Sequence, residues 1–277
     1  MEIKKIGFWC NTDKPNTIET AARLMELCRN NGVDVAVEGT LKKLPTFAEC
    51  SQGYEDCSVV VTFGGDGTLL AALPYAVRYD IPLLGINLGH VGFLTELEHG
   101  SEEEYIHRLL AGQFSIQERM LIEANVGSAQ VSLNDATVTR SPLSRRILTI
   151  EVYVDNELAM SFTGDGLIVS TPTGSTAYSF AAGGPVAKPD MDILLLTPIC
   201  PHTLNTRPMV VPGSSQIKVV VMKSSEGMLT MDGHVVHYIK SGEEIILKRS
   251  EKTARFIRQN NESFYERFRT KLTDWGH

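Results

Sequence analysis

Residues 59–70 read VVVTFGGDGTLL, and this stretch decides the fold of the first part of the chain. The β-branched and aromatic residues up to Phe63 predict a buried strand of the kind found in parallel sheets. Three glycines around Asp66 follow, and a helical pattern begins at Thr68. Such a turn brings backbone N–H groups close to a bound anion, and the helix adds its positive N-terminal end. The stretch therefore predicts a strand–turn–helix unit that binds phosphate, with an ordinary strand-to-helix turn as the alternative.

The first 112 residues continue this alternation of strand and helix patterns. Apolar residues at helical spacing predict helices, and β-branched runs predict strands. The predicted strands are 3–10, 33–37, 59–63 and 82–87, and the predicted helices are 17–31, 68–79 and 101–111. A β-α-β alternation implies a parallel sheet with helices on its faces.

The pattern changes near Gly112, after which short strands alternate with turn signals as far as Lys248. Asp155-Asn156 and Asp232-Gly233 are turn dipeptides of the kind that close hairpins. The predicted strands are 147–154, 158–162, 217–222, 228–231, 235–239 and 244–247. We therefore expect three parts: an α/β Rossmann-like domain over 1–114, a mostly β domain over 115–250, and a C-terminal tail over 251–277.

The composition limits the classes of partner. The chain has 277 residues, 43% of them hydrophobic and 21% charged, and its formal net charge is −7. An acidic chain without a basic block does not favour nucleic acid or an anionic membrane surface as a partner. No apolar run approaches the ~18 residues of a membrane span. Any phosphate site must then be local, built from backbone amides, a few arginines and a divalent cation.

Cysteine usage indicates the compartment. The five cysteines are an odd number and show no Cys-x-x-Cys spacing. Free thiols of this kind are typical of reducing compartments. The N-terminus reads as a first strand and is too short for a signal sequence. We therefore expect a cytoplasmic protein.

A second carboxylate between glycines is Asp165, and it precedes an apolar strand. The next segment, residues 170–178, reads STPTGSTAY and opens a short predicted helix through Ala182. Its hydroxyl groups can bond to ribose or phosphate oxygens, and Tyr178 can stack on a flat base. The alternative is a Ser/Thr-rich helix start with Thr173 as its N-cap.

Two polar pairs in the β-rich part are further candidates. Asn134-Asp135 ends a strand-like segment and suits the two hydroxyls of a ribose, although this dipeptide is also common in turns. Arg145 and Arg146 lie in a predicted loop and can meet a pyrophosphate, with a solvated surface pair as the alternative.

The remaining motifs give weaker evidence about function. Residues 84–94 read LGINLGHVGFL, and Gly89 and Gly92 allow that loop to pass close to a ligand or a neighbouring domain. His234 and His237 point to opposite faces of a strand, which does not favour a metal pair. The chain lacks both the dinucleotide fingerprint after its first strand and the Walker P-loop sequence, which counts against a dehydrogenase and a P-loop enzyme.

Taken together, these motifs resemble those of NAD kinases, in the same order over roughly residues 59–235. The segments that carry the resemblance are GGDGT at 64–68, GIN at 85–87, GFL at 92–94, DG at 165–166, TPTGSTAY at 171–178 and GGP at 183–185. Gly-Gly-Asp-Gly also occurs in diacylglycerol and sphingosine kinases and in phosphofructokinases. The segment at 171–178 separates NAD kinases from those relatives.

The resemblance implies that the γ-phosphoryl group of ATP is transferred to the 2′-hydroxyl of the adenosine ribose of NAD, with Mg²⁺ as the divalent cation and Asp66 as the base. It implies an NAD site formed by Asp66, Gly67, Asn134, Asp135, Arg145, Asp165, Thr176, Ala177, Tyr178, Ser179 and Ala181. It implies an ATP phosphate loop formed by Gly64, Gly65, Gly67 and Thr68. The metal ligands stay open. The resemblance further implies a homo-oligomer, dimer or tetramer, and a tail that returns to the first domain.

Two positions depart from the family pattern. Asp135 stands where the family usually has Glu, and Thr163 stands where some relatives have Arg or Lys. Two other functions remain as alternatives: a lipid kinase of the diacylglycerol type, and a non-catalytic sensor of NAD or NADP. The sequence leaves open the choice between NAD and NADH, the range of phosphoryl donors, and allosteric control.

Overall fold

The structure of the protein, a computed structural model, describes most of the chain. The described residues are 2–13, 15–88, 92–96, 100–127, 130–142, 146–203, 205–222, 226–259 and 263–274, without the side chains of 15, 273 and 274. The chain divides into two compact units. Unit 1 comprises residues 1–118 and 254–277, and unit 2 comprises residues 119–253.

Unit 1 contains a parallel sheet with five strands from the first part of the chain, as the alternation of patterns predicts, and Phe256 near the end of the chain adds a parallel pairing to Leu83. The five strands are β1 (Lys5–Cys10), β2 (Asp34–Val37), β3 (Ser51–Gln52), β4 (Val59–Phe63) and β5 (Leu83–Ile86). Their order is β3-β2-β1-β4-β5, and each neighbouring pair is parallel. Because β4 lies inside the sheet, all five of its residues are buried, as its β-branched sequence predicts.

In the first part of unit 1 the helices are α1 (Pro15–Asn30), α2 (Asp66–Tyr79) and α3 (Glu102–Leu110). They contribute apolar residues such as Leu24 and Leu109 to a core that also contains Phe8 and Phe63. The prediction that α2 begins at Thr68 is wrong by two residues, because extended Gly65 (φ −88°, ψ −169°) takes the N-cap position. Asp66 is therefore the first residue of the helix rather than part of the turn before it.

Unit 2 is formed mainly by two antiparallel sheets, which confirms the predicted mostly β domain. The strands are β6 (Ser115–Ala124), β7 (Gln130–Ser132), β8 (Asp135–Arg140), β9 (Leu148–Val154), β10 (Glu157–Gly164), β11 (Gly166–Ser170), β12 (Ile193–Ile199), β13 (Met209–Pro212), β14 (Ile217–Val221), β15 (Gly227–Met231), β16 (His234–Ile239) and β17 (Glu244–Arg258). One sheet has the order β13-β12-β11-β8-β15-β16. The other contains β10-β9-β14-β17, and β6 pairs with β17 and β7. Apolar side chains of both sheets form a single core.

The division between the units falls inside strands, because β6 and β17 each continue from one unit into the other. The predicted strand at 244–247 is too short: β17 runs for 15 residues to Arg258. Ser250 and Ala254 are buried, so inward-facing positions recur along the strand where the sequence contains no turn signal. Two further helices complete the described structure. The short helix α4 (Tyr178–Ala181) lies between β11 and β12, and α5 (Phe264–Asp274) follows β17.

Both hairpin turns that the sequence predicts are present. Asp155 and Asn156 have φ of 49° and 71°, and Asp232 and Gly233 have φ of 47° and 82°. Two successive residues with positive φ are the mark of type I′ turns, which match the twist of antiparallel strands. The turns connect β9 to β10 and β15 to β16.

The helices in the described part of the chain are short. The longest, α1 and α2, have 16 and 14 residues. None of the described helices combines the length and the apolar character that crossing a membrane requires.

Candidate active site

The carboxylate of Asp66 is the centre of the candidate site in unit 1. It lies in the first turn of α2, where the positive end of the helix stabilises a negative charge. Its Oδ2 accepts a hydrogen bond from the N–H of Phe93 at 2.8 Å. Its Oδ1 accepts from the N–H groups of Leu94 and Thr95, both at 3.2 Å. We call residues Phe93, Leu94 and Thr95 the 93–95 segment; it fixes the position of the carboxylate by three backbone contacts.

The glycines of the turn have different roles. Gly64 has φ 153°, and a Cβ there would lie 2.2 Å from the Thr68 Oγ1, so the fold itself requires a glycine. A Cβ on Gly65 or Gly67 would have no neighbour within 4 Å. The space over these two residues is therefore open for a ligand that approaches the backbone closely.

Backbone donors are available in the same turn. In the described part of the chain, the N–H groups of Gly65, Asp66 and Gly67 have no hydrogen-bond acceptor, whereas that of Gly64 donates to the Ile86 carbonyl at 2.9 Å. The first N–H groups of a helix lack partners within the helix and commonly bind anions. The turn can thus present three N–H groups to phosphate oxygens.

Gly92 permits the close approach of Asp66, a role different from the ligand or domain contact that the sequence suggests. A Cβ at this position would lie 1.9 Å from the Asp66 Oδ1 and 2.4 Å from its Cγ. Glycine is therefore required here by the carboxylate itself. The other glycine of this loop, Gly89, lies outside the described residues.

With Asp66 as the base that the resemblance implies, we expect Gly92→Ala to lower kcat by roughly 10- to 100-fold, because the new methyl group displaces the Asp66 carboxylate from its donors. The affinity for NAD should change much less. Steady-state kinetics and a binding titration of the variant measure both quantities. In an Asp66→Asn background the same change should have little further effect on kcat, and an undiminished effect there would contradict this explanation.

In unit 2, Asn134 and Asp135 are held by a carboxylate that the sequence assigned only to a turn. The Asp232 Oδ2 accepts from the Leu133 N–H at 2.8 Å, and its Oδ1 accepts from the N–H groups of Asn134 and Asp135 at 2.8 and 3.3 Å. Asp135 begins β8, so the expectation that this pair ends a strand is wrong. Asp232 lies next to it because β15 pairs with β8. Asp232 therefore fixes the backbone of the predicted ribose-binding pair.

The other side of Asn134 is packed against the polar segment at 170–178. The Asn134 carbonyl accepts from the Thr171 N–H at 2.9 Å and from the Ser170 hydroxyl at 3.1 Å. A Cβ on Gly174 would lie 2.1 Å from that carbonyl oxygen, so only glycine fits. The structure thus brings Asn134 and the beginning of this segment together, as the resemblance implies for one site.

Most hydroxyls of the segment serve the fold. Thr173 is not an N-cap, because it is the first residue of a 3-10 turn (Thr173–Thr176) that precedes α4. The Thr171 Oγ1 accepts from the Gly174 N–H of this turn at 3.1 Å. The Ser175 hydroxyl accepts from the Ala187 N–H at 3.0 Å and donates to the Ala187 carbonyl at 3.1 Å. Ser179 is buried and shares a hydrogen bond with another hydroxyl, and Tyr178 is 46% exposed. Among the predicted contacts in 176–181, Tyr178 therefore offers an exposed aromatic ring to a flat ligand.

Asp165 lies apart from this cluster. Gly166 pairs with Thr139 and Ser170 pairs with Asp135, so Asp165 and Asp135 are at opposite ends of the β8–β11 pair. Five residues at ~3.3 Å each separate them by about 16 Å. Asp165 is half-exposed, and the Nε of Arg140 lies 3.8 Å from its Oδ1. A ligand that touches both carboxylates must therefore be long.

The glycines beside Asp165 are required by the strands. A Cβ on Gly166 would lie 2.3 Å from the Val138 carbonyl oxygen, and one on Gly164 would lie 2.9 Å from that of Ile199. This motif therefore differs physically from the turn at 64–67, where two of the glycines face open space. Arg145 lies outside the described residues, and Arg146 lies in the loop between β8 and β9.

Burial makes Asp135 an unusual carboxyl group. Burial and, second, the charge of Asp232 raise the pKa of Asp135 from 3.8 to about 6, although a hydrogen bond from the Thr137 hydroxyl at 3.1 Å acts in the other direction. Burial also raises the pKa of Asp232, against the effect of its three backbone donors. Two buried carboxyls side by side resist carrying two negative charges. Asp135 thus changes its charge close to neutral pH.

This shift gives a sign for the pH dependence of stability. The folded protein binds the Asp135 proton more tightly than the unfolded chain does. The contribution of this proton to the free energy of unfolding is therefore present in full below pH 3.8 and is lost as the pH rises to about 6. We expect Asp135→Asn to raise the free energy of unfolding by about 1–3 kcal/mol at pH 8, with the gain shrinking towards pH 4. Urea unfolding of both proteins at pH 4.5 and 8 measures the difference. An equal difference at both values would contradict the assigned shift.

The sequence does not identify the ligands of the divalent cation. The described residues contain no group of three or more His, Cys, Asp or Glu side chains that could hold an ion. Both oxygens of Asp66 already accept backbone hydrogen bonds. Magnesium is commonly held by substrate phosphates with one or two carboxylates, which is compatible with Asp66 and does not require a protein cluster.

Comparison with known proteins gives a consistent result over both units. The sequence profile of the ATP-NAD kinase N-terminal domain matches residues 6–114, and that of the ATP-NAD kinase C-terminal domain matches residues 133–259. The NAD kinase of Moorella thermoacetica is 40% identical over 285 residues, covering 99% of this chain and 91% of the relative. That of Geotalea daltonii is 36% identical and covers 99% of both chains.

Solved structures agree with the sequence relatives. An NAD kinase from Archaeoglobus fulgidus in complex with ATP has a TM-score of 0.76 at 25% identity, over 97% of this chain and 98% of that one. Yeast NADH kinase complexed with NADH has a TM-score of 0.83 over 97% of this chain and 86% of that one. Its identity is 24%, so this second likeness concerns the fold.

Proposed function

We propose that this chain, which belongs to the NAD kinase family, transfers the γ-phosphoryl group of ATP to the 2′-hydroxyl of the adenosine ribose of NAD and so forms NADP. Its class is that of a phosphotransferase. Both family profiles match in order, and relatives that carry the name NAD kinase align with almost the whole chain. The family match favours NAD over a lipid as the acceptor.

The observation that carries the catalytic part of the proposal is the placement of the Asp66 carboxylate. It lies at the start of α2, beside the three N–H groups of the glycine turn that have no acceptor among the described residues. A hydroxyl is a weak nucleophile, and phosphoryl transfer depends mainly on positioning and on stabilisation of charge. A carboxylate fixed next to a phosphate-binding turn supports both needs.

We assign the proton acceptor to the Oδ2 of Asp66. Each carboxylate oxygen can accept about two hydrogen bonds. Oδ1 already accepts from the N–H groups of Leu94 and Thr95, whereas among the described residues Oδ2 has one donor, the N–H of Phe93. Oδ2 therefore has room for the ribose hydroxyl.

The N–H groups of Gly65, Asp66 and Gly67 would bind the ATP phosphates, and the Thr68 side chain lies at the same turn. Magnesium bound to the triphosphate would neutralise part of its negative charge, because an acidic chain supplies little positive charge of its own. Asp66 is the carboxylate of this turn that could reach such an ion. The acceptance of other triphosphates or polyphosphate is left to experiment.

In unit 2 we assign to Asn134 and Asp135 the binding of NAD at its adenosine ribose or at the group next to that ribose. Among the described residues, the Asn134 side-chain amide has no hydrogen-bond partner, so both its donor and its acceptor are available. Asp135 in its ionised form would accept from a ribose hydroxyl, although its side chain is shorter than the usual Glu. Tyr178, exposed at the start of α4, supports stacking on a flat ring. Arg145, Asp165, Thr176, Ala177, Ser179 and Ala181 remain proposed NAD contacts.

Three broader expectations also remain proposals. All five cysteines are free, which is the state expected in a reducing cytoplasmic compartment. A homo-oligomer rests on the family resemblance. NAD and ATP are the proposed small-molecule partners, without nucleic acid or membrane.

The experiment that tests the proposed function follows the label of [γ-³²P]ATP with three acceptors in parallel: NAD, an NAD analogue without the 2′-hydroxyl, and diacylglycerol in mixed micelles. We expect label in NADP only, because the assigned acceptor atom is the 2′-oxygen. An NADP-specific dehydrogenase confirms the position of the phosphate. Label in the 2′-deoxy analogue would contradict the assigned position. Label in diacylglycerol alone would favour the lipid kinase, and binding of NAD without any transfer would favour the sensor.

A further inference from the structure

The 93–95 segment is held from two sides. Its N–H groups donate to Asp66, and its carbonyl oxygens face arginines from the C-terminal part of the chain. The Nη1 of Arg267 donates to the Phe93 and Thr95 carbonyls, both at 3.2 Å. The Nη1 of Arg258 donates to the Leu94 carbonyl at 2.9 Å.

The two arginines come from different elements of the same unit. Arg258 ends β17, and Arg267 lies on α5. The side chain of Arg258 is 11% exposed and that of its partner Glu96 is 1% exposed, with 3.4 Å between Nη1 and Oε1. The ring of Phe268, next to Arg267, lies 6.4 Å from that of Phe93 between centroids.

Glu96 completes the attachment. Its Oε2 accepts from the Gln259 N–H at 2.8 Å, so the residue that follows the 93–95 segment is tied to the end of β17. Its own N–H donates to the Gly85 carbonyl of β5 at 3.0 Å. The segment is therefore fixed at its carbonyl side by α5, β17 and the central sheet of unit 1.

From these contacts we infer that Arg267, assisted by Arg258, is a positioning residue for Asp66: it acts through the 93–95 segment and does not touch the reacting atoms. The 93–94 peptide group joins Arg267 to the Asp66 Oδ1, and the 94–95 peptide group joins Arg258 to the same oxygen, with the carbonyl on one side and the N–H on the other. Hydrogen bonds at both ends of a peptide group reinforce each other. The inference rests on the proposed role of Asp66 and adds that the C-terminal helix sets the accuracy of its placement.

The chemistry favours arginine over lysine at position 267. A guanidinium can donate to two carbonyl oxygens in a fixed arrangement, whereas an ammonium is a flexible point charge. A misplacement of about 1 Å at a reacting group can cost on the order of 10²-fold in rate. Because Arg258 still holds the Leu94 carbonyl, we expect removal of Arg267 alone to cost less, about tenfold in kcat.

The experiment is a double-mutant cycle with Arg267→Met and Asp66→Asn. Arg267→Met alone should lower kcat about tenfold with the KM for NAD within about twofold. In the Asp66→Asn background, assayed with proportionally more enzyme, the same change should lower kcat by less than about twofold. Arg269→Met, an equal loss of charge at an exposed position of α5, serves as the matched control and should leave kcat unchanged.

Amide hydrogen exchange supplies a readout that does not depend on activity. Peptides that cover residues 92–96 should exchange at least about tenfold faster in Arg267→Met than in the wild type or Arg269→Met. If the Met variant does not fold, Arg267→Lys, which keeps the charge, replaces it and should show a smaller change in the same direction.

The inference is overturned if Arg267→Met keeps kcat within twofold of the wild type, if it loses the same factor in both backgrounds, or if exchange at 92–96 is unchanged. Failure of the proposed function has a different signature: the wild type would form no NADP while the exchange of 92–96 still responded to Arg267→Met. In that case the structural link to Asp66 would stand and the reaction would need another assignment.

Discussion

Asp66→Asn should lower kcat by at least about a hundredfold while the dissociation constant for NAD stays within about threefold. The amide keeps the size of the carboxylate and part of its contacts to the 93–95 segment, but it cannot accept the proton of the ribose hydroxyl. At ~1.36 kcal/mol per factor of ten, a hundredfold loss corresponds to about 2.7 kcal/mol of barrier. Steady-state NADP formation and calorimetric titration with NAD measure the two quantities.

The matched control is Asp80→Asn on the same helix. Asp80 is the C-cap of α2, has φ 54° and pairs with Arg255 at 3.0 Å, far from the glycine turn. Asn is tolerated at positive φ, so this variant should keep its kcat. If Asp66→Asn retained more than about a tenth of the wild-type kcat, Asp66 would not be the base.

The second large effect concerns Asp232. We expect Asp232→Ala to lower the free energy of unfolding by about 2–4 kcal/mol and to weaken NAD binding at least about tenfold. Three N–H donors, those of Leu133, Asn134 and Asp135, would lose their acceptor in a buried region. Relief of the repulsion with Asp135 offsets part of this cost. Urea unfolding and NAD titration are the measurements.

Asp155→Ala provides a closely matched comparison. Asp155 has φ 49° in its own hairpin turn, close to the 47° of Asp232, so the backbone strain of Ala is the same in both variants. It is exposed, and its Oδ1 accepts from one N–H, that of Gln216, at 2.9 Å. The difference between the two variants therefore isolates the backbone contacts of Asp232. Equal losses of stability in both would contradict the role assigned to it.

The parts of the fold that sequence predicts well are those with a local pattern. The buried strand before the glycine turn and the apolar stripe of α1 both use periodicities that the chain shows within a few residues. Both hairpin turns follow from dipeptides that tolerate positive φ. Asp66 itself is conspicuous because a carboxylate among glycines has no structural purpose that a local pattern explains.

The supporting contacts could not be predicted in this way. Arg267 and Phe93 are 174 positions apart in sequence, and Asp232 and Leu133 are 99 apart. Nothing in an Asp-Gly turn indicates that its carboxylate accepts hydrogen bonds from three N–H groups at the start of β8 and just before it. The start of α2 was predicted two residues too late because Gly65 can be an N-cap as readily as a turn residue. Sequence therefore identified the candidate reactive groups, whereas the groups that hold them needed the tertiary structure.

The most direct test of the central claim is a continuous assay of the purified wild-type chain with NAD, ATP and Mg²⁺, coupled to an NADP-specific dehydrogenase. The account predicts steady NADP formation that stops when any of the three is left out and that falls at least about a hundredfold in Asp66→Asn. Absence of NADP from a folded protein that still binds NAD would contradict it, as would an undiminished rate in the variant.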